Sequence, residues 1–590
     1  MVKFLKVKVP LILVLLLFGV MAARVYYLQC TEQKDFDNRK TNQIRVTSSV
    51  EALRGQITDC KGAIFAMSTT SPMLWCDPKD VTNPEGEAKL IAEILEKPFN
   101  EILSKASRSN RYVVVQRGLV DVESHKIRAL MSQGKLPGFH LKNEQKRVYP
   151  KHELLGVQIG LCDSSNHGSF GIERGADYYL SGIDGLNTVW RDNARRSFFT
   201  LESLDLVFEP QDGQTVCLTI DETLQQIAQN ELLKAAEKFT PKRAGVIMLD
   251  PSTGDILAMA SWPFYDPNDR AGYEEGIFNN LLLSDPFEPG SIMKTISGSL
   301  ALDHDIVTLS SMIDCERGLW KTPYGRLLHD DHKLGVVTFK NVIKFSSNIG
   351  IAKVGTALGR DELYKGLLAF GFGAKADLIV LGGESPGILR NSKKWTEYSL
   401  TSIPMGQEIG VTALQMVSAI GTIANRGVRM RPRLVKRISM PDGVMSPEAR
   451  DFNYFQPIVA NASVISPSAA RDMTEAMVAV TDDDGTGRLV DIPGFKVAGK
   501  TGTAQKFDQA TRSYSKSKYT ATFAGFAPAN NPRFACVVVV DEPKNKIYGG
   551  TVAAPIFRDV AKAALEYLQV PLEEEFDEPE NNEEERYVAQ

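Results

Sequence analysis

The chain has 590 residues, 43% hydrophobic and 24% charged, with a formal net charge of −4. That length is too great for one compact core, so two or more domains are expected, and the composition is that of a folded globular protein. No basic stripe runs along the sequence, which excludes nucleic acid as the expected partner.

Lys3, Lys6 and Lys8 precede an uncharged apolar run from Val9 to Ala23. Counted on through Arg24 to Leu28, the run reaches about 20 residues, the length a bilayer core needs. Arg24 can snorkel, and Tyr26 and Tyr27 suit an aromatic belt. The reading is a cytoplasmic N-terminus over 1–8 and a transmembrane anchor over 9–28, with the rest exported. A cleaved signal peptide is the alternative, since Val20-Met21-Ala22 loosely resembles a cleavage site. Cys30 does not suit a lipoprotein acceptor, because the bulky Gln29 precedes it.

From 29 to about 235, short apolar runs alternate with polar turns. "RGQITDCKGAIFAMS" (54–68) reads as two strands around a turn near Lys61-Gly62. Residues 84–138 read as helix, and "GIERGADYYLSGIDG" (171–185) as one short helix capped by glycines. Near Ala244 the character changes. "AGVIMLDPSTGDILAMAS" has two apolar runs joined by Asp250-Pro251-Ser252-Thr253-Gly254, a hairpin signal. "FKVAGKTGTAQ", "YTATFAGFAP" and "RFACVVVVDEP" give three more strands between Phe495 and Pro543. Residues 290–485 between these edges read as mainly helical, and Val552–Leu568 as an amphipathic helix. Strands at both ends with helices inserted predict one α+β domain whose sheet joins the two ends. The last 20 residues hold nine Asp/Glu and one Arg, the composition of a solvated, disordered tail over 571–590. The seven cysteines are scattered without a C-x-x-C pair, which speaks against a metal site or a dense disulfide framework and leaves room for one or two bridges.

Ser-x-x-Lys occurs four times, at Ser132, Ser291, Ser513 and Ser515. Ser513 and Ser515 lie in a polar stretch without periodicity, and Ser132 near a helix end broken by Gly134 and Pro137. Ser291 follows Pro289-Gly290 and precedes Ile292, Ile296 and Leu300 at helical spacing. Lys294 therefore falls one turn on, along the same face. A serine hydroxyl needs a base, and a lysine serves once burial or positive neighbours lower its pKa. A helix start also offers N–H groups to an oxyanion. A capping serine beside a solvated lysine is the plain alternative for this fragment alone. Two other fragments decide against it: Ser346-Ser347-Asn348 in "FSSNIG" and Lys500-Thr501-Gly502 in "VAGKTGTAQ". Ser-x-Asn recurs at Ser164–Asn166, whereas Lys-Thr-Gly occurs once. The order of all three is far rarer than its parts, and it is the motif set of serine acyltransferases that recognise penicillin.

The sequence thus resembles the class B penicillin-binding proteins, monofunctional peptidoglycan D,D-transpeptidases, and more the cell-division than the elongation type. The likeness covers nearly the whole chain. Before residue 236 it is carried by "RGQITDCKG", "RVYP" (147–150), "GIERGADYYLSG" and "LTID" (218–221). After it come "DPSTGDILAMAS", "EPGSIMK", "SSNIG", "GTG" (485–487), "VAGKTGTAQ", "FAGFAP" and "GGTVAAPIF". Three places depart from the family pattern: Asn279-Asn280-Leu281 where Asn-Arg-Ala is common, Cys60-Lys61 for Arg-Asn, and Met405-Gly406-Gln407-Glu408 where an aromatic usually precedes the glycine.

The resemblance implies an α+β transpeptidase domain over 236–570, an antiparallel sheet flanked by helices with a mainly helical subdomain. It stands on an elongated mixed α/β pedestal over 29–235, behind one transmembrane helix in the bacterial inner membrane. It implies Ser291 as nucleophile, Lys294 as its base and Ser346 as proton relay. Asn348 would orient Lys294 and hold the acyl-side amide, and Lys500 would keep the field positive. Thr501, Gly502 and Thr503 would bind the substrate, with the N–H groups of Ser291 and Thr503 as oxyanion hole. No cofactor or metal is implied. Implied partners are D-Ala-D-Ala stem peptides with an amino acceptor, β-lactams, a membrane glycosyltransferase and other division or elongation proteins. A D,D-carboxypeptidase, a β-lactamase, and a silent scaffold or penicillin sensor are the rival readings.

Overall fold

The computed structural model describes residues 2–31, 45–163, 165–191, 197–198, 206–269, 276–378, 380–440, 455–508 and 513–572. Ser164 and the acidic tail from 573 onward lie outside the described residues. The chain divides into two compact units, Met1–Leu53 with Gly182–Gly213, and Arg54–Ser181 with Gln214–Gln590.

The first unit begins with a helix over Val2–Tyr26. Among the described residues this is the one helix long and apolar enough to cross a membrane, through the span Val9–Gln29. Leu11, Leu13, Leu15, Leu16 and Leu17 are exposed along the span, as an apolar helix made to face lipid rather than protein requires. The same unit holds a small antiparallel sheet in which Arg45–Val50 pairs with Gly185–Arg191.

The second unit contains two lobes' worth of sheet. In one, Ile57–Thr58 and Ile64–Cys76 form the expected hairpin, with Phe139–Val148 and Val113–Gln116 paired to the longer strand. The stretch 84–138 is not all helix. Helices Pro84–Leu95, Phe99–Ala106 and Asp121–Ser132 are interrupted by that strand over Val113–Gln116. Its β-branched Val113-Val114-Val115 run suits a half-buried pleated surface better than a helix. Likewise 171–185 forms two short helices, Gly171–Gly175 and Asp177–Leu180, rather than one.

Three of the motifs noted above meet in one buried charge cluster. Glu173 takes Arg54 Nε on Oε2 at 2.8 Å and Arg147 Nε on Oε1 at 2.7 Å. Arg54 Nη1 also reaches Asp177 at 2.6 Å, and Arg147 Nη1 donates to the Gly55 carbonyl at 2.6 Å. Arg54 has an acceptor on every arm, and Arg147 on Nε and Nη1 while its Nη2 is buried without one; these bonds offset part of the cost of removing three charges from water.

The other lobe is built on a five-stranded antiparallel sheet. Helix α1 (Glu222–Phe239) is capped by Asp221, whose carboxylate accepts from the N–H groups of Thr223 and Leu224. Strands β1 (Arg243–Leu249) and β2 (Ile256–Trp262) follow as a hairpin, and β3 (Ala498–Asp508), β4 (Ser513–Ala527) and β5 (Phe534–Asp541) arrive from the far end of the segment. The spatial order is β2-β1-β5-β4-β3, so β5 beside β1 joins the two ends as the sequence predicts. The continuous valine run of β5 follows from cover on both faces. Cys536, Val538 and Val540 pack with α1 and helix α6 (Gly549–Tyr567), while Val537 and Val539 join the core under the inserted helices. Those include α2 (Met293–Asp303), α3 (Asn348–Leu358), α4 (Ala413–Ala424) and α5 (Pro467–Thr481). Several short strands interrupt the stretch 290–485 that the sequence reads as mainly helical, among them Met312–Asp314, Leu327–His329 and Val336–Thr338, and one of them ties the lobes together. Val435–Ser439 pairs with Thr215–Leu218, which in turn runs parallel to Ile57–Thr58, so the two lobes share a sheet.

Candidate active site

Ser291 sits in a 3₁₀ turn, Gly290–Ile292, that leads directly into α2. Two glycines make this turn. Gly290 takes φ +55°, and Gly406 at φ +83° is so close that a Cβ there would fall 2.1 Å from the Gly290 carbonyl oxygen. Both positions need a residue without a side chain. The Gly290 N–H donates to the Gly406 carbonyl at 3.1 Å, which anchors the departing Met405–Glu408 segment behind the serine. Next to it, Glu288 accepts from the Glu408 N–H and the Tyr514 hydroxyl, both at 3.0 Å.

Lys294, one turn into the helix, is fully buried. Its Nζ donates to the Ser346 carbonyl at 2.5 Å and to Asn348 Oδ1 at 2.8 Å, and lies 3.2 Å from Ser346 Oγ. Burial pushes the Lys294 pKa down to about 7, against the pull of Asp330 and Asp331. Lys500 is also fully buried and is lowered well below the usual lysine value, by burial first and by the charge of Lys294 second. Its Nζ donates to the Thr501 carbonyl at 3.2 Å. Two buried ammonium groups without a carboxylate bound to either favour the neutral amine.

Ser346 adopts φ +60°, a conformation that costs a non-glycine residue energy. That turn delivers its carbonyl to Lys294 and starts α3, which Ser347 caps by accepting from the Gly350 N–H at 2.9 Å.

The third motif lies on β3, the edge strand of the sheet. A Cβ on Gly502 would meet Ile292 Cγ2 and the Pro289 oxygen, both at 3.1 Å, and a Cβ on Gly290 would be 3.3 Å from the Thr503 oxygen. The strand and the serine turn therefore run side by side, and only glycine fits between them. Strand alternation is kept. Lys500 and Gly502 share the face toward the serine turn, while Thr501 and Thr503 take the other. Thr501 Oγ1 bonds Thr486 Oγ1 at 3.2 Å, and Thr503 Oγ1 accepts from the Gly549 N–H at 2.9 Å. The structure thus joins Lys294, Ser346 and Asn348 directly and sets Ser291 beside Gly502 and Thr503, but it gives the two threonine hydroxyls neighbours of their own. The rival Ser132 is exposed at the end of its helix, and Ser513 and Ser515 lie on β4, where Ser515 Oγ accepts from the backbone N–H groups of Ser517 and Lys518.

The sequence reading quoted "GTG" and "GGTVAAPIF" but gave no role to Thr486 and Gly549, which face the threonines. It also missed Asp330, which binds the turn at Ser347-Asn348. No spacing rule flags an acidic pair in "LLHDDHK". Of the departures, Asn280 is buried and satisfied, accepting from Ser261 Oγ and the Leu282 N–H. Lys61 pairs with Asp221 at 2.9 Å and lies over the Tyr567 ring. All six cysteines described with side chains are free thiols.

Residues 244–562 match the penicillin-binding protein transpeptidase domain, and residues 49–218 the penicillin-binding protein dimerisation domain. A probable peptidoglycan D,D-transpeptidase, PbpC of Pseudomonas aeruginosa, is 32% identical, with 93% of each chain covered. The peptidoglycan D,D-transpeptidase FtsI of Escherichia coli K12 is 30% identical, over 94% of this chain and 91% of the relative. Among solved structures, penicillin-binding protein 3 of Mycobacterium tuberculosis complexed with aztreonam is similar with a TM-score of 0.67 and 25% identity, covering 89% of this chain and 98% of that one. Penicillin-binding protein 2X of Streptococcus thermophilus reaches a TM-score of 0.72 at 21% identity, over 88% and 80%.

Proposed function

The chain belongs to the penicillin-binding protein transpeptidase family, and from that premise we propose a serine peptidoglycan D,D-transpeptidase whose acyl-enzyme forms on Ser291. The observation that carries this reading is the buried Lys294 amine, held by Ser346 and Asn348 one turn from Ser291 and poised near neutrality. A base with a pKa close to the working pH accepts a proton most effectively.

In the proposed reaction Ser291 Oγ attacks the carbonyl between the last two D-alanines of a stem peptide, and its proton passes to Lys294. The N–H groups of Ser291 and Thr503 receive the oxyanion, each such donor stabilising the transition state by roughly 3 kcal/mol. Ser346 passes a proton to the departing D-alanine. Thr501 and Thr503 are given the terminal carboxylate by likeness to the family, and strand alternation, which sets them on the face of β3 opposite Lys500, requires the carboxylate to reach over the strand edge. Thr503 already accepts from Gly549, so its own proton is free to donate. Lys500 rests nearer its neutral form than the sequence reading assumed, and the substrate carboxylate supplies the charge that draws a proton onto it. The acyl group then moves to an amine of a neighbouring stem peptide, which makes the cross-link. Asn348 steadies both Lys294 and the acyl-side amide.

β-lactams acylate Ser291 in the same way in this reading, supported by the similar M. tuberculosis protein with aztreonam bound. The apolar helix Val9–Gln29 anchors the chain in the inner membrane, with the N-terminal lysines in the cytoplasm and the catalytic domain in the periplasm. A membrane glycosyltransferase and other division proteins are the proposed partners, with septal wall synthesis the proposed setting on the strength of the short pedestal.

The test is acylation of the purified chain by a fluorescent penicillin, with intact mass and peptide mapping. A stable adduct on Ser291, absent from Ser291→Ala, supports the reading, and transfer to an added amine separates it from a carboxypeptidase. No adduct on folded protein with the drug intact favours the scaffold reading. No adduct with the drug destroyed means a lactamase.

A further inference from the structure

The Lys294 site depends on a turn, and the turn depends on a residue with no place in the mechanism above. The strained Ser346 carbonyl and Asn348 Oδ1 must both face Lys294 Nζ. On the side that enters the turn, the Ser346 and Ser347 N–H groups donate to the Ile343 and Val342 carbonyls at 3.2 and 2.9 Å. On the side that leaves it, the charged constraint comes from Asp330. Its Oδ2 accepts from Ser347 Oγ at 2.5 Å, and its Oδ1 accepts from the N–H groups of Asn348 at 2.5 Å and Ile349 at 3.0 Å. These are short, charge-assisted bonds at the start of α3, where the helix dipole favours a carboxylate. Asp330 is itself fixed by its N–H, which donates to the Gly318 carbonyl at 3.1 Å. The preceding residue completes the clamp: the His329 carbonyl accepts from Asn348 Nδ2 at 2.9 Å. That bond sets which end of the Asn348 amide faces Lys294, so the oxygen and not the nitrogen receives the amine.

We propose that Asp330 is a positioning residue for acylation, its carboxylate locking the Ser346–Asn348 turn so that Lys294 is held as the base of Ser291. The inference rests on the transpeptidase reading and deepens it. Asp330 acts in a second way through charge. Lys294 is faced by Lys500 from β3, by Asp330 and Asp331 from the segment before α3, and by the Cys315 thiol under Ser347. Only the two aspartates offset the depression of its pKa with full negative charge. Removing one lets Lys294 give up its proton more readily, so the acid limb of acylation moves to lower pH.

The experiment measures the second-order rate of Ser291 acylation by fluorescent penicillin across pH 5–9, on the full-length chain in detergent, with thermal unfolding alongside. Asp330→Asn is expected to lower the plateau about 100-fold, the cost of a catalytic group displaced by ~1 Å, and to shift the limb to lower pH. Asp330→Glu keeps the charge, so its limb stays at the wild-type pH while the plateau falls less. Ser347→Ala removes one of the three donors and leaves the charge. It is expected to lower the plateau by a smaller factor with the limb unmoved. A wild-type rate and limb in Asp330→Asn overturns the proposal, as does a rate loss with an unmoved limb in a thermally weakened protein. If Asp330→Asn does not fold, wild-type acylation of Ser347→Ala at every pH overturns it alone. Failure of the unaltered chain to acylate at Ser291 overturns the transpeptidase reading and this inference with it, whereas an acylating wild type with indifferent variants overturns this inference only.

Discussion

Two sets of buried cations in this chain meet opposite fates. Arg54 and Arg147 lie around Glu173, with Asp177 close by, and the carboxylate at the centre stays ionised. Burial opposes the Glu173 charge, but the two guanidinium groups outweigh it and hold its carboxyl below the usual range. Lys294 and Lys500 are as deeply buried, yet no carboxylate among the described residues bonds either one, and burial wins. A paired, always protonated arginine makes a strut, while an unpaired lysine makes a base. The first arrangement spends charge on shape, and the second keeps a proton acceptor ready near neutral pH.

The contrast is broken most sharply at Lys294. Lys294→Met should lower β-lactam acylation by ~10³-fold or more, while the unfolding temperature stays within a few degrees or rises, because a desolvated amine is lost along with its hydrogen bonds. Stopped-flow acylation and calorimetry on one sample read both. In the arginine cluster the pattern should invert. Glu173→Gln leaves two buried guanidinium groups without their carboxylate, an expected cost of about 3–5 kcal/mol, visible in chemical unfolding, with the acylation rate of the folded fraction unchanged.

A smaller effect separates the clusters by pH. Acylation should rise about tenfold per pH unit below the Lys294 pKa of about 7 and level off above it. Glu173 carries the opposite linkage. Its folded pKa is depressed, so its stabilisation is fully present above the unfolded value of about 4.5 and lost as pH falls through the folded one. The stability gap between wild type and Glu173→Gln should therefore close only in acid, where acylation has already ceased. The smallest expected effect is at Lys61, which is 61% exposed in its side chain beside Asp221. Lys61→Ala should cost roughly 1 kcal/mol or less, and less again at high salt, measured by the same unfolding experiment.

Much of this was legible in the sequence because the information was local. Ser291 and Lys294 are one helical turn apart, the hairpin at Asp250–Gly254 carries its own turn residues, and the apolar run of β5 announces a strand covered on both faces. The apolar helix at the N-terminus declares itself by length alone.

Other features depend on residues far apart in the chain, and only the fold brings them together. Val113–Gln116 has the β-branched residues of a strand, but it becomes one only where Leu74–Cys76 offers it a ladder. Thr501 and Thr503 face Thr486 and Gly549 because β3 keeps its alternation between the turn that follows α5 and the start of α6. Arg54, Arg147 and Glu173 are ordinary surface residue types until folding buries all three at once. The Lys294 pKa is likewise a tertiary quantity. The sequence supplies the amine, but desolvation and the nearness of Asp330, Asp331 and Cys315 decide its protonation, since electrostatic energy depends on position and burial rather than on residue order.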